Sequence, residues 1–206
     1  MKNYLADLFK SAPHSFEDIR YSMAQDRLFN KDFFSILLEH HDYLKESIGI
    51  LLDDESASIE KQEQLVRFFR LVEMHGKAEE ETLYVYLKSS IDANARIEGY
   101  SGKDEHDVIF QMEDALLKMG YLTDWSEEIN AKSRVVAGLV KSHLQEEEKR
   151  MFKIAKKSLT LEEVEQMRDE YLVKCLVYID DFKTRSTGNW LNRGPSDLMD
   201  LPNFAP

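Results

Sequence analysis

The amino-acid sequence predicts an all-α protein: an antiparallel up-down-up-down four-helix bundle with an N-terminal extension and an additional C-terminal helix and tail. Apolar residues recur every three or four positions along most of the 206 residues, which is the pattern of helices that bury one face. Only 8 glycines and 4 prolines interrupt that pattern. Four histidines fall one on each predicted bundle helix, at separations of 34, 31 and 37 residues. A helix of about 20 residues and its connection span this length, so the four imidazoles can lie at one depth of the bundle.

Composition and charge narrow the classes of protein to which the chain can belong. Hydrophobic residues make up 43% of the chain and charged residues 32%, a balance typical of a folded protein. The 39 acidic and 27 basic side chains give a net charge of −12, which argues against nucleic acid and anionic membranes as partners. The single cysteine, the lack of an apolar signal segment and the lack of any apolar run of about 18 residues predict a cytoplasmic protein.

The chain divides into four predicted parts. They are an N-terminal extension with short helices (residues 1–30), the bundle (31–158), a C-terminal helix (159–186) and an irregular tail (187–206). The tail is assigned as irregular because it contains three of the four prolines. The C-terminal helix is assigned from a capping box of Thr160 and Glu163, followed by an apolar stripe that includes Tyr171 and Cys175. Because this helix is amphipathic, we expect it to dock on another part of the protein.

The first two bundle helices are predicted from their apolar stripes. The first helix runs from about Lys31 to Asp53. The second helix is long, because its stripe extends from Leu65 to Tyr86 before it fades in the polar stretch of residues 94–102.

The third and fourth bundle helices are placed by their terminal signals. The third helix starts near Lys103 and ends before Gly120, which makes it the shortest of the four. The fourth helix begins at a capping box formed by Asp124 and Glu127 and continues to about Lys157.

The histidines lie within the apolar stripes, so their side chains are predicted to point into the bundle. On the second and fourth helices a glutamate follows one turn later and shares the face of the histidine. The segments HGKAEEETLY and HLQEEEKRMF align with each other, which indicates an internal duplication. One half contains His41, His75 and Glu79, and the other contains His106, His143 and Glu147, at offsets of 65, 68 and 68 residues.

These six side chains are the predicted metal ligands. Four imidazoles and two carboxylates would cost several kcal/mol per unpaired polar group to bury, and metal coordination removes that cost. Six ligands suit one octahedral ion, or two ions that each hold two histidines and share both carboxylates. Mixed imidazole and carboxylate ligation favours iron, manganese or zinc over calcium or magnesium.

On these residues the chain resembles the hemerythrin-like family, also called the HHE cation-binding family. The matching pattern is His41, His75-x-x-x-Glu79, His106 and His143-x-x-x-Glu147, within roughly residues 32–157. The resemblance implies an antiparallel four-helix bundle that holds two non-haem iron ions (Fe2+/Fe3+), bridged by the two glutamates and by a solvent species. It also implies a small diatomic ligand, dioxygen or nitric oxide.

The pattern departs from that of the oxygen-carrying hemerythrins at one position. Those carriers have a fifth histidine one turn after the third, and Phe110 occupies that position here. Two histidines per metal is an arrangement similar to that of the iron-sulfur repair and nitrosative-stress members. Many repair members also carry an N-terminal cysteine-containing module, whereas the only cysteine here is Cys175.

Three functions remain open from the sequence. The leading hypothesis is a gas-binding protein for sensing, storage or stress response. The second is a di-iron redox enzyme or iron-donating repair protein that acts on peroxide, nitric oxide or damaged iron-sulfur centres. The third is a metal-responsive interaction module.

Several neighbouring residues have alternative interpretations. His40 could replace His41 as the ligand, but His41 has the more apolar surroundings. Glu80 and Glu148 are expected to be solvated or to form hydrogen bonds to the metal ligands, and Glu113 to accept such a hydrogen bond or to be an extra ligand. Core positions rather than walls of the site are expected for Phe110, Tyr84, Tyr86 and Met151. His14 is expected to be a surface residue.

Overall fold

The computed structural model describes residues 31–185 together with Met23 and Gln25. This part of the chain is helical and contains no strand, which confirms the predicted all-α class. Its elements are α1 (Phe33–Leu52), α2 (Ser58–Glu80), α3 (Leu83–Ser89), α4 (Ala93–Lys118), α5 (Glu127–Glu146), a π-helical segment (Glu147–Met151), α6 (Phe152–Ser158) and α7 (Leu161–Arg185). The predicted short helices of the extension and the irregular tail lie outside the described residues, as does His14.

Helices α1, α2, α4 and α5 carry the four histidines of interest and contact one another through their apolar faces. Helix α1 packs against α2 and α5, and α4 packs against α5 and α3. The start of α1 is set by Asp32, whose carboxylate accepts a hydrogen bond from the Ser35 amide at 3.0 Å. No helix in residues 31–185 combines the length and apolar character needed to cross a membrane.

The second predicted helix is divided in two, which the apolar stripe did not indicate. Helix α2 ends at Glu80, and Thr82 has a non-helical backbone at φ −124° and ψ −87° before α3 begins. The Thr82 hydroxyl donates to the carbonyl of Ala78 at 2.7 Å, which stabilises this local geometry.

The prediction for the third helix is wrong in both its start and its length. Helix α4 begins at Ala93, where the Asp92 side chain accepts from the Asn94 amide at 2.9 Å, and its 26 residues make it the longest described helix. The polar stretch of residues 94–102, where the apolar stripe fades, predicts the end of the preceding helix instead. In the structure its glycines allow close packing, since a Cβ on Gly99 would lie 3.0 Å from the Leu87 Cβ atom of α3.

The fourth predicted helix has a different cap and an internal irregularity. Ser126, rather than Asp124, caps α5, because its hydroxyl accepts from the Ile129 amide at 3.2 Å. The helix continues to Ser158, close to the predicted end, but it passes through one π-helical segment at Glu147–Met151.

Helix α7 lies against α2 and α1. Its predicted capping box is confirmed: the Glu163 carboxylate accepts from the Thr160 amide at 2.7 Å, and the Glu163 amide donates to the Thr160 hydroxyl at 3.3 Å. Tyr171 and Cys175 are fully buried in this contact, and the Tyr171 ring packs edge-on against Phe33 at 5.6 Å. The amphipathic helix therefore docks on the bundle, as its stripe predicts.

Candidate metal centre

All six predicted ligands are buried, with side chains no more than 4% exposed. They form two groups of donor atoms that lie within 4.8 Å of one another. The first group consists of His41, His75, Glu79 and Glu147, and the second of Glu79, His106 and His143. The histidines pair as the internal duplication predicts, Glu79 belongs to both groups, and Glu147 lies with the histidines of the opposite half.

Neighbouring donor atoms have the spacing of ligands that share an ion. The Nε2 atom of His41 lies 3.2 Å from Oε2 of Glu147, and Nε2 of His75 lies 3.2 Å from Oε2 of Glu79. The Nε2 atoms of His106 and His143 are 3.0 Å apart. Two donors that each bind an ion at about 2.1 Å, at a right angle, lie about 3 Å apart.

Several of these atoms have no other partner. His41 Nε2, His75 Nε2, both carboxylate oxygens of Glu79 and Oε2 of Glu147 are buried without a hydrogen bond. Each such buried polar atom costs about 1–3 kcal/mol when unpaired. Because all of them converge on one place and are metal-ligating types, the site fits a bound cation.

Each histidine has a second partner on its other ring nitrogen. Carboxylates face three Nδ1 atoms: Glu148 at 2.8 Å from His41, Glu80 at 3.1 Å from His106, and Glu105 at 2.6 Å from His143. The fourth is different, because Nδ1 of His75 faces the hydroxyl of Tyr171 at 2.7 Å. Such partners orient an imidazole and leave Nε2 free to bind a metal.

Two consecutive glutamates of the π-helical segment contact the same histidine. Glu147 approaches Nε2 of His41, and Glu148 approaches Nδ1 of the same ring. In a regular α-helix consecutive residues are turned by about 100° and Glu148 would leave the inward face. The backbone departs from that regular geometry at these two residues, where the π-helical turn begins.

Two partners were not identified from the sequence. Glu105 directly precedes His106 in the chain, but its carboxylate faces His143 on α5. Tyr171 comes from α7, which is distant in sequence, and its hydroxyl also lies 2.8 Å from Nδ1 of His40. His40 is buried in this contact and belongs to neither donor group, while His41 belongs to the first.

The pKa values of the buried groups at this site are shifted in opposite directions. Burial, followed by the charge of Glu147, raises the pKa of Glu79 well above its ordinary value. Burial also raises the pKa of Glu147, but the charges and hydrogen bonds of His143 and His41 outweigh this effect and hold it at about 2. Burial lowers the pKa of His75 well below its ordinary value. These opposed shifts concentrate in a single buried cluster, as is typical of functional sites.

Tyr84 lies inside the cluster, although its spacing indicated ordinary core. Its hydroxyl donates to Oε1 of Glu147 at 2.6 Å and lies 3.3 Å from Nε2 of His106. Two glycines make room around these groups. A Cβ on Gly102 would lie 2.7 Å from Cζ of Tyr84, and a Cβ on Gly76 would lie 2.9 Å from Cε1 of His106.

A cleft between α4 and α5 reaches the edge of this cluster. It has a volume of about 300 Å³, and its lining includes Val108, Ile109, Leu139, Glu105 and His143. Most of the wall area is apolar, although Asp104, Glu105 and Ser142 also line the cleft together with His143.

The other candidate residues lie at the margin of the site or outside the two groups. The Phe110 ring packs on His106 with centroids 5.9 Å apart, and Met151 is buried near Gly102. Tyr86 is half-buried against the core, and Glu113 is in neither donor group.

The class of protein defined by these observations is a helical protein with a buried histidine-carboxylate site that could hold metal. The model of the hemerythrin HHE cation binding domain family matches residues 32–155, more than half of the chain. The chain therefore belongs to this family, which confirms the resemblance stated from the sequence. No curated protein and no solved structure matches the chain.

Proposed function

We propose that the chain is a cytoplasmic non-haem di-iron protein that binds dioxygen or nitric oxide for sensing, storage or stress response. The proposed ligands are His41, His75, His106 and His143, with Glu79 and Glu147 as bridging carboxylates. The observation that carries the proposal is the pair of buried donor groups that share Glu79. The unpartnered donor atoms in those groups support it, since a metal would satisfy them.

The ligand chemistry and the family together support iron. Imidazole and carboxylate donors together suit iron, manganese and zinc. Membership of the cation-binding family supports iron among these. When bound, iron supplies coordination positions for a diatomic ligand and a change between two oxidation states.

The residues of this chain hold and shield such a centre. Glu148, Glu80 and Glu105 fix three imidazoles in the orientation that presents Nε2 inward. The apolar walls of the cleft between α4 and α5 give a small neutral molecule a route toward His143 while they disfavour charged solutes. The proposed architecture of residues 31–158 is the antiparallel up-down-up-down bundle, with α7 as an added helix.

A metal-responsive interaction module is a second candidate, and one contact favours it. Tyr171 joins α7 directly to His75, so a change at the site alters a contact that holds this helix. Its signature is protease sensitivity after Thr160 that changes with iron.

Absorption spectroscopy on anaerobically loaded ferrous protein tests the proposal. Spectra are recorded before oxygen, after oxygen and after degassing, with iron quantified on the same sample, and then repeated with nitric oxide. A reversible, gas-dependent charge-transfer band with two irons per chain is expected. Irreversible oxidation would favour the redox enzyme or repair protein, and failure to hold two irons would refute both.

A variant of the shared carboxylate tests the ligand set. Glu79→Ala should lose at least one equivalent of iron, because Glu79 belongs to both donor groups. Glu146→Ala is the matched control, since Glu146 lies in the second acidic run but is exposed and pairs with Arg150. Full retention of iron by Glu79→Ala would contradict the bridging role.

A further inference from the structure

We propose that the phenolic oxygen of Tyr84 is a seventh donor of the metal centre and binds the ion held by His106 and His143. The inference rests on the proposed function only in that it requires metal at this site. It adds an oxygen ligand that lies outside the repeated histidine-glutamate pattern.

Tyr84 lies beside the second of the two donor groups, next to the donor atom of His106. The first group has four donors and the second has three, with Glu79 counted in both. The Tyr84 hydroxyl lies 3.3 Å from Nε2 of His106, and that nitrogen lies 3.0 Å from Nε2 of His143. The separation of Tyr84 from His106 is close to the 3.2 Å between other donor pairs of the site, so the phenolic oxygen lies where a further ligand of the ion at His106 would lie.

The side chain of Tyr84 is closely surrounded. The side chain is fully buried, and its ring is tilted on that of His106 with centroids 5.2 Å apart. Gly102 lies opposite the phenol, where a Cβ would be 2.8 Å from the hydroxyl oxygen. Tyr84 lies in the first turn of α3, as the second residue after the non-helical Thr82.

The phenol is protonated in the metal-free protein, where it donates to Oε1 of Glu147 at 2.6 Å. On binding, the O–H bond of Tyr84 breaks, an oxygen–metal bond forms, and the proton leaves to solvent, as it does for other protonated ligands. The same step releases Oε1 of Glu147 from its hydrogen bond, so that both oxygens of this carboxylate become available. No oxidant or reductant is needed for this ligand exchange.

Tyr171 provides a matched control within the same site. Its hydroxyl is also buried and contacts a proposed ligand, but it faces Nδ1 of His75, the side away from the donor group. A phenol in that position orients an imidazole and does not reach the ion. Replacing it should therefore leave the phenolate signature of the centre intact.

The test uses iron itself as the probe on the full chain. Wild type, Tyr84→Phe and Tyr171→Phe are loaded with ferrous iron without oxygen, oxidised, and compared by visible absorption and resonance Raman spectroscopy, with iron quantified in each. Wild type and Tyr171→Phe should show a phenolate-to-ferric charge-transfer band with enhanced phenolate ring vibrations, and Tyr84→Phe should lack both. Tyr84→Phe should also bind the second ion about 10-fold to 100-fold more weakly.

Gly102→Ala gives a second route to the same result, because the added methyl displaces the phenol without removing it. We expect the band to be lost or strongly reduced in this variant. Two irons in wild type without phenolate vibrations, or a band that persists in Tyr84→Phe, would overturn the proposal while the proposed function stands. Wild type that holds no iron would overturn both. The absence of phenolate vibrations in wild type overturns the proposal even if a variant fails to fold, and their loss in either Tyr84→Phe or Gly102→Ala assigns them to Tyr84.

Discussion

Gly76→Ala is expected to separate the helix stability of this protein from its metal affinity. Gly76 lies inside α2, one residue after His75, and is buried against the imidazole of His106 on α4. Alanine is favoured over glycine in a helix interior by about 1 kcal/mol. If the backbone alone decided the outcome, this substitution would stabilise the protein.

The structure predicts the opposite effect at the site. The added Cβ would lie 2.9 Å from Cε1 of His106 and 3.1 Å from its Nδ1, whereas ordinary contact begins at 3.4 Å. The ring must therefore move by about 0.5 Å, and metal sites tolerate departures of only about 0.2 Å from their preferred distances. Movement also disturbs the contact between Nδ1 and Glu80. We expect the affinity of the second ion to fall about 10-fold to 100-fold.

Gly138→Ala is the matched control, because Gly138 lies in α5 with nothing within 4 Å of an added Cβ. Urea unfolding of the metal-free proteins and titration with ferrous iron are measured for both variants. Gly138→Ala should be stabilised by up to about 1 kcal/mol with unchanged iron binding. Gly76→Ala that is equally stabilised and binds two irons with wild-type affinity would refute the steric argument.

Three further predictions concern the partners of the site. Burial, with the charge of His41 added, lowers the pKa of His40 to about 3. Below about pH 6.5 the unfolded chain therefore binds a proton at His40 that the folded chain does not bind. The free energy of unfolding of the protein without metal should fall by about 1.4 kcal/mol per pH unit from this group as the pH falls toward 3. His40→Gln should reduce that slope in urea unfolding at a series of pH values, and an unchanged slope would contradict the assignment. Glu105→Gln should weaken iron binding about 10-fold, because it removes the carboxylate 2.6 Å from His143, and equal affinity by titration would exclude an orienting role. Burial raises the pKa of Cys175, so iodoacetamide should label it only after unfolding; rapid labelling of the native protein would show that α7 is undocked.

Periodicity along one helix allowed the helical class and the inward faces to be predicted. His75 and Glu79 are one turn apart, and so are His143 and Glu147, whatever the helices pack against. The structure places both pairs in two donor groups that share Glu79, and their role as ligands remains a prediction. The capping box at Thr160 was equally local, since its hydrogen bonds join residues three apart.

The errors arose where the effect of a residue depends on its neighbours in space. The fading of the apolar stripe over residues 94–102 predicts the end of a helix there, but these residues belong to α4, whose Gly99 and Gly102 approach α3 and Tyr84 too closely for a Cβ. The spacing of Asp124 and Glu127 predicts Asp124 as the cap, but in the structure the Ser126 hydroxyl accepts the hydrogen bond from the Ile129 amide.

Sequence by itself determined the helical class, the family and the six residues that repeat in the two halves, because these depend on short-range spacing. Only the tertiary structure decided what surrounds them. It divides the second helix before Tyr84, widens the turn that carries Glu148, and brings Tyr171 from α7 to His75. These features join residues up to 107 positions apart in the case of His41 and Glu148, and 96 in the case of Tyr171. Contacts of that range follow from how the helices pack, which no pattern within a single helix encodes.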